Sequence, residues 1–311
     1  MSITQSSSKK VAIVLVNWNS FDLTKDTLES LQQTTYTNYD CIVVDNGSVD
    51  GSGDLIEKIF PNCIVLKSDT NKGFTGGNNI GMEFALQHGY EYIMMLNNDI
   101  AVEPNFLEPL IAKLDEDASV GAVQPLIYFH HDRNLIWNAG SSFNALLGIC
   151  STPDYNKKDP GHQFKNKSKK IDWITGCAFM IRASVLKKVG LLKEAFFIYY
   201  EDVDLSFRIK AAGYQLAYVP SSVIYHIAGM SQKSNKKGKE GFVSPKVHYL
   251  NARNRIWCLK EHAPAWALPT VTLFNTFYFF SIVFYFIFRA RWQKLLALKN
   301  GIVEGLLYRV S

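Results

Sequence analysis

Four short apolar runs constrain this chain more than any other feature of its sequence. Each is closed by a polar loop and separated from the next by a helical pattern. Residues 11–16 read VAIVLV, the continuous apolar run of a strand buried on both faces. Residues 21–33 then carry Leu23, Leu28 and Leu31 on one helical stripe. Residues 41–44 form a second apolar run, 50–60 a helical pattern, and 63–66 a third run. Residues 75–88 read as a helix ended by Gly89, and 92–96 as a fourth strand. Strands alternating with helices predict an α/β fold, a mostly parallel sheet flanked by helices. Such sheets bind ligands beyond the carboxyl ends of their strands.

The residues at those ends are polar, acidic or glycine-rich. Asn17-Trp18-Asn19 follows the first strand and Asp45-Asn46-Gly47-Ser48 the second. Gly73-Phe74-Thr75-Gly76-Gly77-Asn78-Asn79 lies after the third, and Asn97-Asn98-Asp99 after the fourth. Asp99 is placed to hold a hard divalent cation that bridges substrate phosphates, or it is a turn or helix-cap residue. Asp45 can accept the ring N–H of a base, or it makes an Asx turn before the next helix. The amides around Gly73 and Gly77 can cradle phosphate at a helix N-terminus, or form a tight turn. The segment matches neither of the common phosphate-binding glycine motifs.

The middle of the chain is mixed. Residues 104–114 read as a helix, and 120–128 and 135–139 as strands. Residues 157–170 are a basic loop, and 171–182 an apolar run broken at Gly176. Residues 201–212 are a helix capped by Gly213, and 214–219 a strand. Glu201-Asp202-Val203-Asp204 opens that helix. Acids in a first turn are favoured by the helix dipole, and one can also serve as a general base at a cleft mouth. Arg208 can pair with Asp204 at i+4 or with Glu201 at i+7. His226 ends an aromatic strand-like run, as a structural histidine or as a partner of Asp99 on a metal.

Composition excludes several classes. At 311 residues, with 47% hydrophobic and 20% charged, the chain is neither disordered nor fibrous and buries a core without staples. Net charge is +5, without the concentrated basic stripe of a nucleic-acid binder, so no nucleic acid is expected as partner. Lysines gather at 157–170 and 233–246, either as solvated loops or in contact with an anionic membrane surface or phosphorylated substrate. Five cysteines with no CxxC predict neither a disulfide framework nor a zinc site. The opening MSITQSSSKK has no apolar stretch, so no secretory signal is expected, and a cytosolic protein leaves its two glycosylation sequons unused. Residues 263–288 carry no charge, and about twenty of them are apolar enough to span a bilayer.

The segments VAIVLVNWNS, IVVDNGSVDGS, NKGFTGGNNIGM, MLNNDIAVEP, WITGCAFMIRASVLKKVG, FFIYYEDVDLSFRIKAAGY and HYLNARNR together resemble the family 2 glycosyltransferases, particularly the rhamnosyltransferase-like bacterial subgroup. The resemblance covers about residues 9–260. It implies a GT-A fold, with residues 1–100 the nucleotide-binding half and 101–260 the acceptor-binding half. Residues 261–311 are left as a hydrophobic and basic membrane-associating segment. By the same resemblance, Asp45 recognises the nucleobase and Val16, Asn17 and Trp18 form the base-binding loop. Gly73, Gly77, Asn78, Asn97, Asn98 and Gly176 line the nucleotide-sugar site. Asp99 is the ligand of Mg²⁺ or Mn²⁺, with His226 completing the metal site, and Asp202 is the catalytic base beside Glu201. Asn97 stands where the family more often has Asp, although the Asn-Asn-Asp form occurs in this subgroup.

The implied reaction is inverting transfer of a sugar from a dTDP- or UDP-sugar, dTDP-rhamnose among them, to a saccharide or lipid-linked acceptor. The setting is cell-surface polysaccharide synthesis. The rival readings are a non-catalytic nucleotide-sugar-binding scaffold and a nucleotidyltransferase. The latter normally shows a glycine-rich loop with a basic residue after the first strand, which Asn17-Trp18-Asn19-Ser20 lacks. A single span would export the tail from Arg289, with five basic residues and one Glu, against the positive-inside tendency. The sequence therefore favours a monotopic or re-entrant segment on the cytoplasmic face, at the inner leaflet. A true span and a buried core or dimer helix are the alternatives.

Overall fold

The computed structural model describes residues 9–227, 233–238 and 240–308. The N-terminus through Ser8, Lys239 of the second lysine-rich stretch and the last three residues lie outside them. The chain opens with β1 (Val11–Asn17), α1 (Phe21–Leu31), β2 (Tyr39–Asn46), α2 (Ser52–Ile59), β3 (Ile64–Ser68), α3 (Gly73–Gln87) and β4 (Tyr92–Leu96). These are the alternating units expected from the apolar runs. It continues through β5 (Ile100–Val102), α4 (Leu107–Glu116), β6 (Val120–Phe129), β7 (Ile136–Asn138), β8 (Ser142–Asn144) and β9 (Ile149–Ser151). Then come β10 (Ala178–Arg182), α5 (Ala183–Val189), α6 (Glu201–Ala211) and β11 (Gln215–His226).

One sheet runs β3-β2-β1-β4-β10-β6-β11-β5, with β7 paired to β6. Strands β1 to β4 pair in parallel. Beyond β4 the sheet is mixed: β10 enters antiparallel between β4 and β6, and β5 closes the far edge antiparallel to β11. Parallel pairing thus holds through the first hundred residues and returns beyond them, where β6 and β11 run parallel. The two expected halves share a single sheet.

The faces of β1 explain the layers. Side chains alternate along a strand. Val11, Ile13 and Leu15 pack with Leu28 of α1, Ile56 of α2 and Leu110 of α4. Ala12 and Val14 face Met82 of α3 and, farther along the sheet, Leu205 and Ile209 of α6. Helix α3 sits unusually close to the strands. A Cβ at Gly81 would lie 2.4 Å from Val14 Cγ1, and one at Gly77 would lie 2.9 Å from Val16 Cγ1. β11 continues through Pro220 to His226, past the expected end at 219. Its register with β6 shifts between Val219 and Val223, the irregularity a residue without an N–H requires.

The C-terminal part adds β12 (Lys233–Gly238), β13 (Gly241–Val243), α7 (Pro245–His262), α8 (Leu268–Phe288) and α9 (Trp292–Leu307). α9 returns onto α7, where a Cβ at Gly301 would lie 2.3 Å from the Tyr249 carbonyl oxygen. α8 lies along α7 as well. The guanidinium of Arg255 stands 4.8 Å from the Tyr278 ring centroid, and the His248 and Phe286 ring centroids are 4.9 Å apart. The apolar stretch 265–288 is long enough to cross a membrane, yet only 17% of its most apolar window is buried. This overturns the buried-core alternative. Leu273, Phe277, Phe280, Phe284 and Phe288 form an exposed face at helical spacing.

Candidate active site

The carboxyl ends of β1, β2 and β4 are joined by one hydrogen-bond network. Asn17 Nδ2 donates to Asp45 Oδ1 at 3.1 Å and to Ser52 Oγ at 2.7 Å. Thr24 Oγ1 donates to Asn17 Oδ1 at 2.9 Å, and Asn98 Nδ2 donates to Thr24 Oγ1 at 2.8 Å. Ser48 Oγ donates to Asp45 Oδ1. Asp45 is buried against the first turn of α2, where Gly53 leaves it room: a Cβ there would lie 2.2 Å from Asp45 Oδ2. Trp18, by contrast, is exposed. Thr24, Ser52 and Gly53 were not singled out in the sequence, because a hydroxyl or glycine in a first helical turn reads as ordinary capping.

Gly53→Ala is therefore expected to displace Asp45 and weaken nucleotide binding by about fivefold to 10²-fold, the scale of an overpacking cost of about 1–3 kcal/mol. Titration with UDP and dTDP checks it. Unchanged affinity would remove Asp45 from the nucleotide site.

The glycine-rich segment differs from the expected loop. Gly73 starts α3, and Gly77 and Asn78 are buried inside it. Gly73 takes φ +75°, a backbone region that favours glycine, and a Cβ there would lie 2.5 Å from the Phe197 ring. Gly77 lets the helix approach Val16, and Asn78 Nδ2 donates to the Phe74 carbonyl at 2.8 Å. These glycines bring a helix against the sheet and against the 197 loop. They do not form a loose cradle.

Asp99 follows β4, and its backbone carbonyl accepts from Ile227 N at 3.0 Å, which brings the end of β11 alongside. His226 Nε2 lies 3.1 Å from Asp99 Oδ1. Both side chains are buried, and both Asp99 Oδ1 and His226 Nδ1 lack a hydrogen-bond partner. A separation near 3 Å matches the edge between adjacent ligands of an octahedral ion with bonds of about 2.1 Å. An orphaned carboxylate oxygen beside an imidazole nitrogen thus fits a divalent cation.

A second acidic cluster, Asp204 with Glu261 and His262, is already neutralised. Arg208 Nε lies 2.8 Å and Lys193 Nζ 3.3 Å from the Asp204 carboxylate, with His262 Nε2 at 2.8 Å. Burial alone would raise the Asp204 carboxyl, but the His262 hydrogen bond and the two cations bring it down to about 2. It clamps α6 to α7, and the Arg208 pairing is the i+4 one.

The acids at the start of α6 are different. Gly176 N donates to Asp202 Oδ2 at 2.7 Å, and Val203 N donates to Oδ1 at 2.8 Å. Burial pushes the Asp202 carboxyl up to about 6, against those two N–H groups. Burial, then the Asp202 charge, hold Glu201 well above the usual carboxylate range, and its Oε2 has no partner. Cys177 lies between the two acidic centres: after burial, Asp99 and Asp202 both push its thiol up. Asn97 N donates to the Cys177 carbonyl at 2.9 Å, so the 97–99 and 176–177 loops are stitched together. Asp202 opens onto a cavity of about 260 Å³ lined by Cys150, Ser151, Thr152, Trp173, Thr175 and Tyr200.

The loop before α6 is held in an uncommon conformation. Phe197, Tyr199 and Tyr200 have φ of 64°, 76° and 70°. Asn254 Nδ2, on α7, donates to the carbonyls of Phe196, Ile198 and Tyr199, each at 2.9 Å. The sequence showed HYLNARNR as a motif, but the Asn254 contact is distant in the chain and carries no local signal.

Residues 12–190 match the model of the glycosyl transferase family 2. An N-acetylglucosaminyl-diphospho-decaprenol L-rhamnosyltransferase of Mycobacterium tuberculosis is 24% identical over 257 residues, 78% of this chain and 81% of the relative. A low-salt glycan biosynthesis hexosyltransferase, Agl10, of Haloferax volcanii is 23% identical over 255 residues, 81% and 76% of the two chains. Among solved structures, S. aureus TarS 1–349 in complex with UDP-GlcNAc aligns at TM-score 0.60 and 15% identity, covering 95% of this chain and 81% of that one. The mannosyltransferase PcManGT of Pyrobaculum calidifontis, in complex with GDP-Man and Mn²⁺, aligns at TM-score 0.56 and 15% identity, covering 97% and 88%. These structures share the mixed α/β GT-A fold. With the family model matching more than half of its length, this chain belongs to glycosyl transferase family 2 and is a glycosyltransferase.

Proposed function

We propose that the chain transfers a sugar, with inversion at the anomeric carbon, from a dTDP- or UDP-sugar to a hydroxyl of a saccharide or lipid-linked acceptor during cell-surface polysaccharide synthesis. dTDP-rhamnose is the leading donor, by analogy with the rhamnosyltransferase relative. The observation that carries the reading is Asp202, a half-buried carboxylate held by two backbone N–H groups and pushed up to about 6 at the mouth of a cavity of about 260 Å³.

The acceptor occupies that cavity, with Trp173 as an apolar platform for a sugar ring. Asp202 accepts the proton of the attacking hydroxyl, and the two backbone N–H groups hold its oxygens in place. Burial and the Asp202 charge hold the neighbouring Glu201 toward its protonated form, which disfavours a second negative charge beside the base. Asn17 and Asp45 receive the nucleobase, with Val16 and Trp18 alongside. Asp99 and His226 would hold Mn²⁺ or Mg²⁺. The nitrogen donor favours Mn²⁺, and the PcManGT structure contains that ion. When bound, the ion supplies positive charge for the leaving diphosphate.

Calorimetric titration of a panel of UDP- and dTDP-sugars, with and without Mn²⁺, tests the reading. Metal-dependent binding of one donor is expected. If none binds under either condition, UDP- and dTDP-sugars are excluded as donors; binding of a donor with no turnover would favour the scaffold reading instead.

The protein lies on the inner leaflet through α8 and α9. α8 packs lengthwise on α7, and α9 packs on α7 too, so both ends of α8 stay with one body. A span would separate them by about 30 Å. Exposed Trp266 and Trp292 flank the phenylalanine face, and Arg289 and Arg291 follow it, an arrangement suited to an anionic interface. Phe280→Ser with Phe284→Ser is expected to lower sedimentation with phosphatidylglycerol vesicles by tenfold or more, since each ring is worth about 1.5–3 kcal/mol when buried. Unchanged binding would remove this face from the membrane contact.

A further inference from the structure

The cavity beside Asp202 and the apolar helix α8 share a wall. β8 and β9 form a hairpin whose second strand contributes Cys150 and Ser151 to the cavity. The turn of that hairpin stands on the first turns of α8. Thr270 Oγ1 donates to the Leu146 carbonyl at 2.6 Å, and Asn275 Nδ2 donates to the Leu147 carbonyl at 3.2 Å. Gly148 closes the contact: a Cβ there would lie 2.7 Å from Leu259 and 3.0 Å from Val271.

Arg255 joins the two sides. Its Nε donates to Asn275 Oδ1 at 2.6 Å, Nη2 to the Gly148 carbonyl at 3.0 Å, and Nη1 to the Tyr200 hydroxyl at 3.1 Å. The guanidinium is buried, and none of the ion pairs among the described residues includes it. A buried charge held only by neutral acceptors costs stability, so its position answers to something other than pairing. Tyr200, at the other end of the chain of bonds, lines the cavity. Because its oxygen accepts from Arg255, its own proton is directed elsewhere, and the guanidinium makes it a stronger donor.

We propose that Arg255 and Asn275 are acceptor-positioning residues: α8 fixes the hairpin wall and the Tyr200 hydroxyl, and so sets the acceptor subsite from the membrane-facing helix while leaving the donor site alone. The inference rests on the glycosyl-transfer reading above. It fits an acceptor that reaches the cavity from the lipid side, its carrier along α8 and its sugar between Trp173 and Tyr200.

The test uses the full chain in mixed micelles, with dTDP-rhamnose as donor and an N-acetylglucosaminyl-diphospho-prenyl lipid as acceptor. Asn275→Ala is expected to raise the acceptor KM on the order of tenfold, the scale of losing a hydrogen bond to a charged group. Donor KM and kcat should stay within about twofold. Asn275→Asp keeps the acceptor for Arg255 Nε and should restore most of the acceptor KM. Hydrogen exchange should quicken in residues 145–152 of Asn275→Ala and stay unchanged in the donor loop at 45–53. Equal rises in both KM values, a fall in kcat alone, or unaltered exchange at 145–152 would overturn the proposal. If the wild type transfers nothing to this acceptor, the function reading fails for it, while the exchange result still decides the positioning role.

Discussion

Asp202→Asn is expected to lower the transfer rate on the order of 10²-fold or more, while donor binding survives. The substitution keeps the shape at the start of α6 but leaves no group that can accept the hydroxyl proton. The neighbouring Glu201 gives the contrast. Because burial and the Asp202 charge hold Glu201 toward its protonated form, Glu201→Gln keeps a neutral group there and should retain activity within about tenfold. A pH–rate profile separates the two roles. The base must be an anion, so with a carboxyl near 6 the wild-type rate should fall as the pH drops through that value. That limb should vanish from the residual activity of Asp202→Asn and remain in Glu201→Gln. Near-normal turnover by Asp202→Asn would reject Asp202 as the base.

Asp99→Ala is expected to abolish the metal-dependent part of donor binding and to cost turnover by 10²-fold or more, the scale of removing one charge-stabilising group. Asp99 Oδ1 is buried without a partner, and among the described residues His226 Nε2 is the donor atom that faces it. His226→Ala should weaken Mn²⁺ binding less, on the order of tenfold, because the carboxylate remains. Titrating each variant with UDP in the presence and absence of Mn²⁺ measures both. If Asp99→Ala kept a metal-dependent affinity, the cation would sit elsewhere. The Asp204 cluster would then have to exchange Arg208 and Lys193 for the ion.

Much of this was legible because it is local. An apolar strand followed by a polar loop announces a sheet edge, and Asp45, Asp99 and Asp202 each sit at such an end or at a helix start. His226 was legible as the end of a strand-like run, but its continuity with the strand expected at 214–219 was not, since Pro220 hides the continuation of β11. The antiparallel entry of β10 and the short β5 depend on pairing between strands far apart in the chain, which periodicity does not encode. The glycines of α3 were visible, but their purpose was not. Gly77 and Gly81 are set by the approach of a helix to Val16 and Val14, a tertiary fact. The same holds for Gly53 beneath Asp45 and for Asn254 beneath the strained loop. For residues 263–288, composition alone left open a span, a buried helix or an interfacial one. The low burial of this stretch excludes the buried helix, and the side-chain contacts of α8 with α7 support the interfacial reading proposed above.

The measurement that tests the account most directly is proton NMR of the glycoside formed from the donor that binds, read at the anomeric centre before any equilibration. A single base at Asp202 and direct attack by the acceptor hydroxyl predict a product of inverted configuration. Retained configuration would require a covalent or front-face route, and would contradict the assignment of Asp202.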